Sequence, residues 1–283
     1  MTILQPPPDP GTSDAFRSVS LLDLERVDSW PPELLRVLHH HCDVLYKYEE
    51  DFALPPRDPF TCTDSDLERA AAVGRARDRA ISVVSDALRS YAIRGWHCTR
   101  LTDWEAQAIV ADGLGLPDDG MLHRRIDRLV ADGALTPDLA DRLKARNQAS
   151  ESNRAGRIWF CFFPPRIASE GGIGRFFRHW GGEALYNSHE ADPITSPILR
   201  TIGIPALVEA DIPIALLRSH TWLPNKVARR FVVSRGCKTG EPVDHEDAVV
   251  HALPAACVRR VIRFPEPDFL ALTGCADWCK PLA

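Results

Sequence analysis

No uninterrupted apolar stretch in this 283-residue chain approaches the ~18 residues of a membrane-spanning helix. No basic segment followed by an apolar core opens it. The expectation is a protein without a membrane partner, cytoplasmic or exported by a route without a cleavable signal peptide. A Gly-x-Ser-x-Gly elbow is also missing, which removes the simplest hydrolase chemistry. So is the Gly-x-Gly-x-x-Gly spacing of a Rossmann dinucleotide site. The Gly171-Gly172-Ile173-Gly174 run follows Pro164-Pro165 and reads as a glycine-rich turn. There is no excess of positive charge. The net charge of −5 speaks against a partner held mainly through phosphates.

The eight cysteines lack the dense, regular spacing of a disulfide scaffold, and those in apolar runs, such as Cys161, read as buried thiols. Cys275 and Cys279 have no second ligand pair. His39-His40-His41-Cys42 would point in different directions from a helix. No metal is expected. Internal repeats are absent. Apolar residues at 45% and charged residues at 26% belong to an ordinary globular chain.

Residues 1–14, rich in proline, read as a flexible tail. Apolar spacing from Pro31 to Lys47 predicts one amphipathic helix, and Leu54–Phe60 a Pro/Asp loop. Ser65-x-x-Glu68 predicts a capping box at the start of a long helix from about Asp66 to Ala92. Residues 15–93 thus read as a helical N-terminal region, and 94–283 as a second domain. Within the latter, residues 95–99 read as a strand, Thr102-x-x-Glu105 as a second capping box, and Gly113 as the end of that helix. Charged helices over 118–152 precede a strand over 156–163. A helix then runs on to Tyr186, and strands follow at Ala206–Val208, Ile212–Leu217, Ala248–Val250 and Val258–Ile262. The class is α+β with a mixed or antiparallel sheet.

Three segments carry a functional signal. Trp96-His97-Cys98-Thr99-Arg100 is followed by a capped helix and by Ile109-Val110 before Gly113-Leu114. Gly156-Arg157-Ile158-Trp159-Phe160 is an aromatic strand. Glu246-Asp247-Ala248-Val249-Val250 runs into Leu253-Pro254 and Val258. Over residues 94–265 this order resembles the poly(ADP-ribose) polymerase-like branch of the ADP-ribosyltransferases. Their pattern is Trp-His-Gly-Ser/Thr-Arg, then Gly-Ile-Tyr-Phe, then a strand opened by a catalytic glutamate.

The resemblance implies an ADP-ribosyltransferase-like split sheet and NAD as co-substrate. His97 and Thr99 would bond ribose, with Arg100 closing the same motif. The Cys98 main chain would hold the nicotinamide amide, and Trp159 and Tyr186 would wall the ring. Glu246 would stabilise the positive charge that develops on the sugar as the nicotinamide bond breaks. Cys98 stands where the family has glycine, and Trp159 where it has tyrosine. Glu241 competes with Glu246.

The implied acceptor is a macromolecule, with protein favoured over nucleic acid by the acidic balance, and mono-transfer is expected. The style of the chain suits a toxin, secreted effector or defence protein. Transfer onto DNA or RNA, and a module that binds NAD or ADP-ribose without turnover, stay open.

Overall fold

The computed structural model describes residues 19–53, 63–218 and 222–282, so the expected tail at 1–14 and loop at 54–60 lie outside the described residues. A two-residue strand β1 (Leu21–Leu22) leads into helices α1 (Pro32–His40), α2 (Cys42–Ala53) and α3 (Asp64–Leu88). The single helix expected over Pro31–Lys47 is two, broken at His41. Leu45 continues the seven-residue spacing of Leu38, so the apolar pattern runs through the break and hides it. α3 is capped by Thr63 and Asp66, not by Ser65 and Glu68. The Thr63 hydroxyl accepts from the Asp66 amide, and the Asp66 carboxylate accepts from the Thr63 amide.

Then come β2 (Ala92–Leu101), α4 (Asp103–Asp112), α5 (Asp119–Ala131), α6 (Pro137–Ala145) and β3 (Ile158–Cys161). The chain continues through α7 (Ser169–Arg178), α8 (Glu183–His189), α9 (Thr195–Thr201) and β4 (Ile204–Pro213). α10 (Leu223–Ser234), β5 (Glu246–Val249), β6 (Val258–Arg263) and α11 (Pro267–Thr273) complete it. Gly171, Gly172 and Gly174 lie inside α7, not in a turn. Ile173 and Phe177 are buried on that helix at i, i+4 spacing, and this burial outweighs the glycines' low propensity. The helix expected to reach Tyr186 is also two, because Gly181 and Gly182 both take positive φ and separate α7 from α8.

The sheet is open and antiparallel along the order β5-β3-β2-β4-β6, and β1 adds to β2 in parallel at Ala92 and Ile93. This is the α+β architecture expected. The two strands expected at 206–208 and 212–217 are one strand, β4, followed by a 3₁₀ turn. Glu209 and Asp211 interrupt its apolar run, but they meet Arg260 (2.7 Å) and Arg94 (2.9 Å) from the two neighbouring strands.

Side chains alternate across β2. Ile93 and Leu101 face a core shared with Phe160, Phe162 and the buried residues of α1, α3 and α10, so the N-terminal helices and the sheet share one core. Trp96 and Cys98 face the opposite side, covered by Ile173 and Phe177 of α7, Phe269 of α11 and Cys275. A smaller core gathers α5, α6, Trp180, Leu185 and Leu199.

Glu105 joins this smaller core to the sheet. Besides completing the Thr102 capping box, its carboxylate accepts from Trp180 Nε1 (3.0 Å) and Arg125 Nε (2.5 Å). Two glycines are required where they stand. At Gly113 (φ +90°) a Cβ would fall 2.0 Å from the Leu253 carbonyl oxygen, and at Gly203 (φ +66°) 2.5 Å from the Leu101 carbonyl.

Candidate functional site

The three strands carrying the three motifs are consecutive neighbours in the sheet, β2 with His97, β3 with Trp159 and β5 with Glu246. β3 and β5 pair through four residues, from Ile158 opposite Val249 to Cys161 opposite Glu246. β2 and β3 pair at Trp96 and Cys161 alone among the described residues. Beyond that pair the two strands form no further ladder among the described residues, and this unpaired stretch is the opening between them.

Backbone polarity defines the walls of this opening. The Phe162 amide donates to the His245 carbonyl on the β5 side. Cys161 and Trp159, one and three residues earlier, therefore turn their amides and carbonyls toward β2. Their partner Trp96 turns its own toward β3, and so does Cys98, two residues on. The Cys98 N–H and C=O thus face the opening. The Cys98 side chain stands off the strand toward Ile173 and Phe177 and does not fill that space.

His97 spans the opening. Its Nδ1 lies 2.9 Å from the Trp159 carbonyl oxygen. A carbonyl only accepts, so Nδ1 carries the proton and Nε2 keeps a lone pair. Burial, with the Arg125 charge adding to it, lowers the pKa of His97 against the Trp159 hydrogen bond, which keeps the ring neutral. The ring leans on Phe160 at 5.9 Å. Thr99, half-buried, shares this face of β2 with His97.

On the opposite face stand Trp159, Cys98, Cys161 and Glu246. The Trp159 indole is 37% exposed and donates through Nε1 to the Asn153 carbonyl (3.2 Å). Cys161 is half-buried, not buried as its apolar run suggested, because it sits where the cover over the sheet thins toward exposed Glu246. The Cys98 and Cys161 side chains share this face on adjacent strands and pack in one cluster. Cys161 beside it, and then burial, raise Cys98 well above the ordinary thiol pKa, while Cys98 lowers Cys161 against its own burial and the Glu246 and Asp244 carboxylates. The structure therefore puts His97 and Glu246 on strands separated by β3, and on opposite faces of the sheet.

The remaining expected residues have other neighbours. The Arg100 guanidinium is buried, donating to the carbonyls of Ile202 (2.6 Å) and Phe177 (3.0 Å), and burial brings its pKa down to about 10. It clamps β2 to α7 and α9. Tyr186 lies within α8 with its hydroxyl on Glu183 (3.2 Å), its ring against Phe176, and Arg175 over its face (4.0 Å). Burial first, and then the Glu183 charge, raise its pKa. Tyr186 and Trp159 border the same 147–157 segment: Gln148 bonds the α8 backbone, Arg154 pairs with Glu183, and Asn153 holds the Trp159 indole. Glu246 opens β5, whereas Glu241 is in the preceding loop.

No family model matches the chain, and no curated protein or solved structure matches it either. Among the described residues no three of His, Cys, Asp and Glu are grouped to hold a metal ion, and no helix is long and apolar enough to cross a membrane. A groove of about 580 Å³, lined by Leu35, His39, Arg230, Phe231 and Arg235, lies between α1 and α10, away from the expected residues.

Sequence reasoning missed Cys161, Asn153 and Arg125 as neighbours of the opening. Cys161 was findable: it lies two residues after Trp159, so alternation along a strand places both on one face. Asn153 and Arg125 arrive through tertiary folding and leave no local signal.

Proposed function

We propose that the chain binds NAD at the opening between β2 and β3 and transfers its ADP-ribose to a macromolecular acceptor, releasing nicotinamide. The observation that carries this reading is the Cys98 backbone amide and carbonyl facing a gap in an otherwise paired sheet, with the His97 ring across it and the Trp159 indole beside it. A primary amide such as nicotinamide's offers one donor edge and one acceptor edge, the complement of a strand's free N–H and C=O. Neutral His97 offers Nε2 to a ribose hydroxyl. The ADP-ribosyltransferase-like split sheet is part of this proposal, as are a protein acceptor and single-unit transfer. Net charge favours protein over nucleic acid.

One feature favours a second reading, an NAD-binding module without turnover. Glu246 is on the face opposite His97 and Thr99, and one sugar does not reach both without threading the opening. Single-turnover release of nicotinamide, with NAD binding measured separately by calorimetry, separates the two. If Glu246 acts on the charge developing in the transition state, Glu246→Gln leaves NAD affinity near the parent value. Release then falls roughly a hundredfold or more, while Glu241→Gln stays near the parent rate. NAD binding without release by the parent, across nuclease-treated and untreated lysates as acceptor source, selects the module. Absence of NAD binding by the parent removes both.

A further inference from the structure

Cys98 and Cys161 occupy the two strands that flank the opening. Their side chains share one face, because Cys161 sits opposite Trp96 and Cys98 is two residues along from Trp96. They are free thiols at diagonal positions of adjacent strands, packed in one cluster, Cys161 half-buried and Cys98 buried beneath α7. The proposed chemistry at the opening uses only the Cys98 backbone, so both sulfurs lie outside it. The geometry points to a redox-active thiol pair that closes into a Cys98–Cys161 disulfide and fastens β3 to β2 across the mouth of the opening.

Cys161, the more accessible of the two, is the nucleophile, and the shift of its thiol below the ordinary range supports that order. Its thiolate attacks the outer oxygen of a hydroperoxide, the O–O bond breaks, and an alcohol or water departs with a proton, leaving a sulfenic acid at Cys161. The Cys98 thiol then attacks that sulfur, the S–O bond breaks, and water leaves with the second proton. Two thiols are oxidised by two electrons and one hydroperoxide is reduced by two. A dithiol reductant reverses the bond. Fixing the strands together opposes entry of any group that must reach the Cys98 backbone. Loss of NAD binding on oxidation therefore rests on the proposed function, whereas the disulfide itself does not.

The test treats the full chain with a mild hydroperoxide and maps tryptic peptides. Gly95–Arg100 and Ile158–Arg166 each contain a single cysteine, so a cross-link between them reports the bond directly. The expected result is that linked peptide, lost on reduction, absent in Cys161→Ser and Cys161→Ala, and retained in Cys279→Ser. Dimedone adducts at Cys98 and Cys161 without a link overturn the proposal, as does a link of either to another cysteine instead. Calorimetry on the linked protein is expected to show NAD binding lost and restored by dithiothreitol. Unchanged affinity in the linked form overturns the gating. A link in a protein that binds NAD in neither state leaves the thiol pair standing and removes the NAD reading alone.

Discussion

On one edge β2 pairs with β4 through ten consecutive residues, Ala92 with Pro213 down to Leu101 with Ile204; on the other it meets β3 at Trp96 and Cys161 and then parts from it. The same ten residues thus make two kinds of boundary. On the β4 edge the backbone groups are satisfied within the sheet, and flanking side chains are buried or ion-paired, as Arg94 is with Asp211. The β3 edge leaves main-chain donors and acceptors turned outward, one of them held only by a histidine ring. Stability therefore concentrates on the first edge, and the capacity to bind something concentrates on the second. The β4 edge makes the β3 edge possible, since a strand anchored over its whole length can leave part of its other side unpaired.

The largest effect is expected from breaking the closed edge. Gly203→Ala puts a Cβ into the Leu101 carbonyl at a positive φ, where the chain turns into β4. It should cost about 3 kcal/mol or more by urea denaturation. A variant as stable as the parent would mean the ladder tolerates a shift at its end.

Next comes an acid limb rooted beside the open edge. His245, buried and stacked on Phe162 at 5.6 Å, has its pKa lowered to about 4 by burial and then by Lys226, against an ordinary 6.5. The folded chain refuses a proton that the unfolded chain takes. Stability should therefore fall as pH drops from about 6.5 toward about 4, by on the order of 3 kcal/mol from this residue. His41, His97, His179 and His189 are also lowered and add to the same limb. His245→Gln should flatten it in part, read as the urea midpoint against pH.

A smaller effect should separate the two edges cleanly. His97→Ala removes the bridge to Trp159 and a proposed ribose contact, so NAD affinity should weaken roughly tenfold to a hundredfold, about 1–3 kcal/mol. NAD affinity like the parent's would place any NAD site elsewhere. The smallest expectation is a null slope. Because His97 is already neutral, NAD affinity by calorimetry should stay level between about pH 6.5 and 8. A rise toward acid would mean that the charged ring makes the contact.

What could be read in advance follows the range of the interactions involved. Thr102, Glu105 and Gly113 mark out α4 correctly, because capping is chemistry between residues three apart and a helix stop is local. The aromatic and β-branched runs placed β2, β3, β5 and β6. Glu209 and Asp211 look like a break in β4 until their arginines from neighbouring strands are known. His41 is invisible as a helix break because the apolar spacing continues past it. For the candidate site, the three motifs were visible as residue types in order, and their strands lie side by side. The faces were not legible, since whether Glu246 stands with His97 depends on Trp96 meeting Cys161. A one-residue change of register would move it to the other side. Arg100, conspicuous in the motif, turned out to hold two carbonyls inside the fold.

Glu105 holds the amide and hydroxyl of Thr102, the Trp180 indole and the Arg125 guanidinium with one side chain. In mechanical language it is a rivet passing through two plates. The plate of α5, α6 and Trp180 is tied to the sheet at this point, because displacing Trp180 or α5 would pull on the carboxylate that starts α4. Thr102 follows directly on the last residue of β2, so that pull arrives at the end of the strand whose other side stands open.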